Sequence, residues 1–263
     1  MDLQLNNKIA LVTGSTAGIG HAIAQSLVKE GAEVIVNGRS QSAVDGVVAE
    51  LDALGEGKVS GFAGDLGTAQ AAADLLERFP KVDILVNNLG IFEPKGFEDI
   101  PDADWMRFFD INVLSGVRLS REYLPGMRAQ NWGRILFISS ESGLQIPAEM
   151  VHYGVTKAAQ IAAARGIAES VAGTGITVNS VLPGPTRSRG VGDFVDALAQ
   201  ADGKSAAQVE AEFFEHVRPT SLIKRFTSPD EIAAMVTYLA SPLASATHGA
   251  AIRADGGVVK SAY

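Results

Sequence analysis

The stretch that decides the fold is Thr13-Gly14-Ser15-Thr16-Ala17-Gly18-Ile19-Gly20, which follows an apolar run at 8–13 and precedes a helical pattern. Glycines at such a strand-to-helix turn allow a tight bend, let the backbone approach a pyrophosphate, and permit close packing of the helix. The N-terminus of the helix adds free N–H groups and a positive dipole. The stretch therefore predicts a dinucleotide-binding turn, with a purely structural turn as the alternative. Its predicted cofactor-binding residues are Gly14, Ser15, Thr16, Gly18, Ile19 and Gly20.

Strand and helix patterns alternate along the rest of the chain. Strand-like runs lie at 8–13, 33–37, 58–63, 82–86, 134–139, 176–182 and 250–254, and helical stretches near 18–30, 41–54, 68–79, 103–130, 152–172 and 229–240. Several runs are apolar at consecutive positions, which is typical of strands covered on both faces. Ser228, Pro229 and Glu231 form a helix-start signal. The alternation predicts an α/β fold, a single doubly wound Rossmann-like domain over residues 1–263 with a seven-stranded parallel sheet.

One segment, residues 184–227, interrupts the alternation. It contains no strand pattern, and helical fragments are predicted at 193–200 and 205–217. An insert of about forty residues in a compact domain is usually a lid, a binding loop or disordered. We predict a helical lid, because the segment carries apolar residues that could close over a site: Phe194, Val195, Leu198, Phe213, Phe214, Leu222, Ile223 and Phe226. Arg187, Arg189 and Arg218 are interpreted as solvated charges, with contacts to a carboxylate or phosphopantetheine-like substrate as the alternative.

The composition excludes several classes of protein. The 263 residues include 22 Lys and Arg against 30 Asp and Glu, so the net charge is −8. This charge disfavours non-specific binding to nucleic acid or to an anionic membrane. The chain has no cysteine, which excludes disulfides, cysteine-ligated metals and a thiol nucleophile, and its four histidines lack metal-ligand spacing. With no signal-like N-terminus and no apolar run near the ~18 residues of a membrane span, a cytoplasmic location is expected.

The end of the second strand bears on the choice of cofactor. NAD-binding folds typically place an acidic residue there, whereas this chain has Asn37-Gly38-Arg39-Ser40. Arg39 can pair with a 2′-phosphate through charge-assisted hydrogen bonds, so NADP(H) is the predicted cofactor, with NAD(H) as the alternative. Arg39 as a solvated loop residue is the competing interpretation. Asp65, followed by Leu66, is placed to accept from the adenine amino group, or else to cap the helix near Thr68.

A candidate catalytic group is spread over two segments. Tyr153 and Lys157 are four residues apart and share one helix face, and Ser140 precedes Tyr153 by thirteen residues. Reduction of a carbonyl requires a proton donor at its oxygen. A nearby ammonium and an oxidised nicotinamide would lower the tyrosine pKa from its ordinary value of about 10. The pattern predicts Tyr153 as that donor.

Over essentially its full length, the sequence resembles the short-chain dehydrogenase/reductase family. The resemblance rests on the turn at 13–20, on Asn87-Asn88-Leu89-Gly90 for the family's Asn-Asn-Ala-Gly, on Asn112, on Ser140, Tyr153 and Lys157, and on Pro183-Gly184. It implies that Tyr153 is the acid/base and that Ser140, favoured over Ser139 by its spacing, binds the substrate oxygen. Lys157 would bind the nicotinamide ribose and acidify Tyr153, and Asn112 would hold a water that links Lys157 to solvent. The cofactor site would include Asn88, Gly90, Pro183, Gly184 and, at the nicotinamide carboxamide, Thr186.

Two positions depart from the family pattern. Leu89 replaces the usual alanine and adds bulk beside the expected adenosine site. Ala17 occupies a position that is often basic in NADP-preferring relatives, so Arg39 carries the NADP argument alone. His152, beside Tyr153, is either structural or adjacent to the substrate.

The residues and the resemblance together predict an NADP(H)-dependent oxidoreductase that transfers a hydride between the nicotinamide and a carbonyl or alcohol. The expected small-molecule substrate is a 3-oxoacyl thioester or a small ketone. Alternatives are an NAD-dependent alcohol or sugar dehydrogenase and, from another class, a non-catalytic nucleotide-sensing protein. The stretch at 152–172 is rich in alanine, which permits close approach of helices. We therefore expect a homo-oligomer, a tetramer or dimer as in the family.

Overall fold

The sheet of the protein has seven parallel strands in the order β3-β2-β1-β4-β5-β6-β7. A computed structural model describes residues 2–188, 191–192, 195–196, 199–200 and 203–262. The strands are β1 (Ile9–Val12), β2 (Glu33–Gly38), β3 (Val59–Ala63), β4 (Ile84–Asn87), β5 (Gly133–Ile138), β6 (Ile176–Pro183) and β7 (Ala251–Ala254). All seven predicted strands are confirmed. The order reverses between β1 and β4, and such a switch point opens a crevice at the carboxyl ends of the strands.

The helices follow the predicted alternation with one difference. They are α1 (Gly18–Lys29), α2 (Gln41–Asp52), α3 (Ala69–Arg78), α4 (Asp102–Phe109), α5 (Ser115–Ala129), α6 (Val151–Ser170), α7 (Ala206–Glu212) and α8 (Pro229–Ala240). The stretch predicted as one helix at 103–130 is α4 and α5 joined by a π-helical turn, Asp110–Leu114. Such turns are frequent at functional sites, and this one contains Asn112. The predicted start of α8 is confirmed as a capping box between Ser228 and Glu231.

The core consists of two apolar layers, one on each face of the sheet. Val12 belongs to the layer that includes residues of α1 and α8, and its neighbour Leu11 belongs to the layer that includes residues of α3, α5 and α6. Since both layers need apolar side chains from every central strand, the strands read as continuous apolar runs. Within the described residues, no helix is both long enough and apolar enough to cross a membrane.

The described ends of the insert meet at an isolated bridge outside the seven strands. Thr186 and Thr227 form a parallel bridge, and Arg187 N donates to Thr227 O at 2.8 Å. The predicted fragment at 205–217 is observed as α7 followed by a second π-helical turn, Phe213–Val217. In the predicted fragment at 193–200, residues 195–196 and 199–200 are helical, whereas Phe194 and Leu198 lie outside the described residues, as does Arg189. The insert has its own apolar cluster of Val195, Ala199, Val209, Phe214 and Phe226.

One arginine of the insert is not the solvated charge that the sequence predicted. The Arg218 side chain is 13% exposed, and it pairs with Glu141 and Glu149 at 3.1 and 3.2 Å. The interpretation is corrected for Arg218, because folding brings two carboxylates to it from distant positions in the sequence. Arg187 Nη1 lies 3.2 Å from Glu210 Oε2, and its side chain is 44% exposed, as expected of a solvated charge.

Candidate active site

The turn after β1 has the geometry of an anion-binding site. Gly14 and Gly18 adopt φ values of +61° and +58°, in the left-handed region that favours glycine. At Gly20 a Cβ would lie 2.5 Å from Asn88 Nδ2, so the helix could not pack this closely with any larger residue. Among the described residues, no side chain caps the N-terminus of α1. Its first N–H groups and positive dipole are therefore available to a phosphate.

Asn37 holds the ends of three strands together beneath this turn. Its Oδ1 accepts from Gly14 N at 3.0 Å, and its Nδ2 donates to Phe62 O and Gly64 O at 3.2 and 3.1 Å. Ser15 Oγ accepts from Asn37 N at 2.9 Å. The side chain is fully buried. We predicted no role for Asn37, although a polar residue that ends an otherwise apolar strand is a signal for one.

Asn37→Ala is expected to lower the free energy of unfolding by about 2–3 kcal/mol, because one buried N–H and two carbonyls lose their partners. Urea unfolding followed by circular dichroism measures this loss. The matched control is Gln70→Ala on the exposed face of α3, where a change within about 0.5 kcal/mol is expected. Equal stability of the Asn37 variant and the wild type would contradict the structural role.

The end of β2 presents Arg39 to solvent. Arg39 is exposed and makes no hydrogen bond or ion pair with the described part of the chain. A Cβ on the preceding Gly38 would lie 2.4 Å from Thr16 Cγ2. An acidic side chain at position 38 would therefore require Thr16 to move, whereas a guanidinium at position 39 is free to reach a ligand.

Asp65 does not cap the helix that follows it. The cap of α3 is Thr68, whose hydroxyl accepts from Ala71 N at 3.3 Å. Asp65 is exposed, and one of its carboxylate oxygens accepts from Gly67 N at 3.0 Å. The neighbouring Leu66 side chain is buried in the core, so only its backbone can meet a ligand.

Asn88 ties the end of β4 to the glycine-rich turn. Its Nδ2 donates to Thr13 O and Gly14 O at 2.9 and 3.1 Å, and its N–H donates to Thr13 Oγ1 at 2.9 Å. The departing residue Leu89 packs against the apolar layer that contains Leu11. Part of the volume that Leu89 adds relative to alanine therefore packs against the core.

A cavity at the carboxyl ends of the strands collects the candidate catalytic residues. Ser140, Tyr153 and Lys157 line it together with six predicted cofactor-binding residues: Ile19, Asn88, Gly90, Pro183, Gly184 and Thr186. Phe92 and Val191 add apolar surface to the same walls. The folded chain thus brings into one cavity residues that are up to 172 positions apart in sequence, from Ile19 to Val191.

The two ionisable groups of the cavity have opposite pKa shifts with one cause. Burial raises the pKa of Tyr153 to about 12, although the Ser140 hydroxyl lowers it. Burial lowers the pKa of Lys157 to about 7. The predicted lowering of the Tyr153 pKa is therefore absent from the protein alone, because desolvation outweighs the neighbouring charges. Near neutral pH, Tyr153 is a protonated donor and Lys157 is close to its titration midpoint.

Lys157 and Asn112 are connected through a residue that we had not predicted. Lys157 Nζ donates to Ile138 O at 2.9 Å and to Gln160 Oε1 at 3.2 Å, and Gln160 Nε2 donates to Asn112 O. The Asn112 side chain bonds to both backbone groups of Ile91. Gln160 lies one helical turn after Lys157, and a glutamine on the buried face of a helix was the available signal.

The two serines before Glu141 differ in the groups that their hydroxyls contact. Ser139 Oγ donates to Lys157 O at 2.8 Å, so its hydroxyl proton is committed away from the cavity. Ser140 Oγ accepts from Ser142 N at 3.1 Å, and its hydroxyl interacts with the Tyr153 phenol, whose pKa it lowers. Ser140 is therefore the serine that lies beside Tyr153, and it is also the one that the spacing favoured.

The segment after β6 closes the other side of the cavity. A Cβ at Gly184 would lie 2.5 Å from Asp255 O, so the close approach of the two backbones requires glycine. Thr186 Oγ1 donates to Gly184 O at 2.9 Å and lies 2.9 Å from Thr227 Oγ1. Thr186 is thereby held at the base of the insert, beside the cavity.

This arrangement can be compared with known proteins. A family model described as short chain dehydrogenase matches residues 8–198. The chain belongs to the short-chain dehydrogenase family. This family member is therefore an oxidoreductase, and its seven-stranded parallel sheet confirms the fold that the alternation of strands and helices predicted.

Several relatives are similar over their whole length. The uncharacterized oxidoreductase YvaG of Bacillus subtilis (strain 168) is 48% identical over 264 residues, covering 100% of both chains. A D-beta-hydroxybutyrate dehydrogenase of Cupriavidus necator is 36% identical and covers 97% of this chain and 99% of its own. The crystal structure of L-sorbose reductase from Gluconobacter frateurii, complexed with NADPH and L-sorbose, has a TM-score of 0.93 at 30% identity, covering 99% of this chain and 100% of that one.

In this short-chain dehydrogenase, His152 packs in the interior. Its ring centroid is 4.0 Å from that of Phe108, and neither ring nitrogen has a hydrogen-bond partner among the described residues. Burial lowers its pKa, which favours the neutral ring. His152 does not line the cavity, so the structural interpretation is supported over the substrate-adjacent one.

Proposed function

We propose that this short-chain dehydrogenase is an NADP(H)-dependent oxidoreductase acting on a small-molecule carbonyl or alcohol. The observation that carries the proposal is the joint placement of Ser140, Tyr153 and Lys157 in one cavity with predicted cofactor-binding residues. A non-catalytic nucleotide sensor would not require a tyrosine donor, a serine hydroxyl beside it and a buried lysine at the same place.

The residues present fit a nicotinamide dinucleotide. The left-handed glycines and the uncapped start of α1 suit its pyrophosphate, and the unpaired Arg39 suits a 2′-phosphate. Asp65 and the backbone of Leu66 would hold the adenine, Lys157 the nicotinamide ribose, and Thr186 the carboxamide. Gly90, whose Cβ would lie 3.4 Å from Lys157 Nζ, leaves the ribose position open. When bound, the nicotinamide supplies or accepts the hydride.

The chain's own residues handle the proton. Ser140 donates a hydrogen bond to the substrate oxygen and orients the carbonyl toward Tyr153. Tyr153 Oη transfers its proton to that oxygen as the carbonyl carbon is reduced, and in the reverse direction it accepts the proton. Protonated Lys157 stabilises the tyrosinate that remains, and Gln160 and Ile138 O hold its ammonium in place. The Asn112 carbonyl accepts a hydrogen bond from Gln160 and so helps to hold the Lys157 ammonium in place.

We further propose a small ketone or a 3-oxoacyl thioester as substrate. The structural similarity to an L-sorbose reductase supports the ketone, and a relative named 3-oxoacyl-[acyl-carrier-protein] reductase FabG, 32% identical, supports the thioester. Residues 184–227 act as the lid, since the insert has its own apolar cluster and Ser188 Cβ lies 3.2 Å from a Cβ built on Gly18. Assembly through the alanine-rich α6, as a tetramer or dimer, would appear as a multiple of 27.5 kDa in light scattering.

The function is tested first by thermal-shift titration with NADPH and NADH in parallel. A ligand at one hundred times its dissociation constant stabilises the folded state by about 2.7 kcal/mol, which is easily measured. NADPH oxidation is then followed with small ketones, ketoses and 3-oxoacyl thioesters. Stabilisation by NADH alone, with oxidation of alcohols, would favour an NAD-dependent dehydrogenase such as the relative named D-beta-hydroxybutyrate dehydrogenase. Failure of both cofactors to bind would reject the proposal.

Arg39→Asp is expected to weaken NADPH binding by about 100-fold or more and NADH binding by much less. The reason is that a charge-assisted contact to the phosphate, worth roughly 1.5–3 kcal/mol, is replaced by repulsion. Isothermal titration with both cofactors measures the two losses. Arg78→Asp, on the far end of the sheet, is the control for the change in net charge. Equal losses for NADPH and NADH would remove Arg39 from the phosphate site.

A further inference from the structure

We propose that Arg218 is a positioning residue for catalysis, which neutralises Glu141 and holds the turn that carries Ser140 beside Tyr153. The inference rests on the proposed function, because it assigns a role in proton transfer at the same site. Neither residue lines the cavity, so both act through Ser140 and Tyr153 rather than on the substrate.

The ion pair between Arg218 and Glu141 is largely shielded from solvent and has a defined geometry. Glu141 directly follows Ser140, and its side chain is 5% exposed. One carboxylate oxygen accepts from Arg218 Nε at 3.1 Å, and the other accepts from the Ser142 hydroxyl. Ser142 N in turn donates to Ser140 Oγ at 3.1 Å. A continuous set of hydrogen bonds thus joins the guanidinium of the insert to the hydroxyl that we assign to the substrate oxygen.

Arg218 is itself attached to a fixed part of the molecule. Residues 218–224, which we call the return arm of the insert, bond to the segment after β7. Thr220 Oγ1 donates to Val258 O at 2.6 Å, and Leu222 N donates to Gly256 O at 2.8 Å. A second guanidinium nitrogen, Arg218 Nη1, lies 3.2 Å from Glu149 Oε1. The return arm can therefore hold Arg218 in place and, through Arg218 and Glu141, the turn that carries Ser140.

The two charges act on Tyr153 with opposite sign. The Glu141 carboxylate raises the pKa of Tyr153, and the Arg218 guanidinium lowers it. Among the described residues, the charged groups at this place are Lys157 on α6, Glu141 directly after Ser140, Arg218 on the return arm, and Glu149, which pairs with Arg218. Because Glu141 is poorly solvated, its field is weakly screened once its partner is removed. Arg218 therefore permits an acidic residue beside the catalytic serine without suppressing ionisation of Tyr153.

Stability alone does not account for the pair, because a buried ion pair often contributes little net free energy to folding. A merely structural pair and a positioning pair also differ in a measurable way. Removing either partner of a structural pair damages the site similarly. Removing one or the other charge from a positioning pair shifts the ionisation of Tyr153 in opposite directions.

The test compares Arg218→Met, Glu141→Gln and the double variant by the pH dependence of alcohol oxidation, in which Tyr153 must be deprotonated. Arg218→Met should move the profile to higher pH by about one unit, Glu141→Gln should move it to lower pH, and the double variant should return close to the wild type. Arg218→Lys should restore the position of the profile in part. Arg225→Met, which breaks an exposed pair with Glu231, is the control and should leave the profile unchanged. Shifts of the same sign, or no shift in variants with normal circular dichroism, would overturn the proposal.

A second measurement does not depend on turnover. The 13Cζ resonance of labelled tyrosine, assigned to Tyr153 by its loss in Tyr153→Phe, reports ionisation of the phenol as pH is varied. The same order of pKa values, highest in Arg218→Met and lowest in Glu141→Gln, is expected in this titration. If the wild type showed no oxidoreductase turnover but this order held, the proposed function would fail while the electrostatic role of Arg218 remained. An unchanged Tyr153 pKa would reject that role whatever the activity.

Discussion

Tyr153→Phe is expected to lower turnover by about 1000-fold, within the range by which general acid–base catalysis accelerates reactions. The substitution removes the phenolic oxygen that we assign to proton transfer. It keeps the ring, whose centroid lies 6.3 Å from that of Phe92. The fold and the dinucleotide pocket should therefore persist. Initial rates of NADPH oxidation with a carbonyl substrate measure the loss, and thermal shift with NADPH measures cofactor binding.

The control for this experiment is Tyr238→Phe, on the outward face of α8, where the hydroxyl is remote from the cavity and turnover should be unchanged. Undiminished turnover of Tyr153→Phe would exclude Tyr153 as the acid. Loss of NADPH stabilisation together with turnover would show instead that the phenol is needed to form the pocket.

Lys157→Met is expected to abolish most turnover and, at the same time, to stabilise the protein. The lysine is buried, and desolvation lowers its pKa to about 7, against about 10.4 in an unfolded chain. Between these pH values the unfolded state binds more protons than the folded state, so the free energy of unfolding of the wild type rises with pH. Methionine has a similar shape and no charge to desolvate. We expect a gain on the order of 2 kcal/mol at pH 8 and a flatter pH dependence from pH 7 to 10.

Urea unfolding at several pH values, with initial rates of NADPH oxidation, measures both effects. Lys29→Met, an exposed lysine at the end of α1, is the matched control and should alter neither the pH slope nor turnover. A Lys157 variant that is both inactive and less stable would show that its bonds to Ile138 O and Gln160 outweigh the cost of burying the amine.

The local patterns that predicted the fold are those that depend on near neighbours. Several of the seven strands follow from consecutive apolar residues, and the start of α8 follows from Ser228, Pro229 and Glu231. Such signals survive because backbone hydrogen bonding and capping act over a few residues. The π-helical turn at Asp110–Leu114 was missed, since its contacts lie on α6 and on the segment after β4.

In the candidate site, too, some features could be predicted from the sequence and others depend on tertiary packing. Spacing and the family resemblance were sufficient to select Ser140, Tyr153 and Lys157, and the structure places all three in one cavity. Burial raises the pKa of Tyr153 in the protein alone, and the sequence did not reveal this effect because burial depends on the packing of distant segments. Gln160 was missed because its one signal, a glutamine on the buried face of a helix, does not show that its partners are Lys157 and Asn112.

The sequence by itself determined the alternation of strands and helices, the glycine-rich turn, the candidate catalytic residues and the absence of a carboxylate at the end of β2. The tertiary structure alone decided that Asn37 joins three strand ends, that Gln160 connects Lys157 to Asn112, and that Arg218 reaches Glu141 across 77 positions. The physical reason is the distance along the chain over which each interaction acts. Propensity, capping and periodicity act along the chain, whereas desolvation and charge pairing depend on which segments the fold brings together.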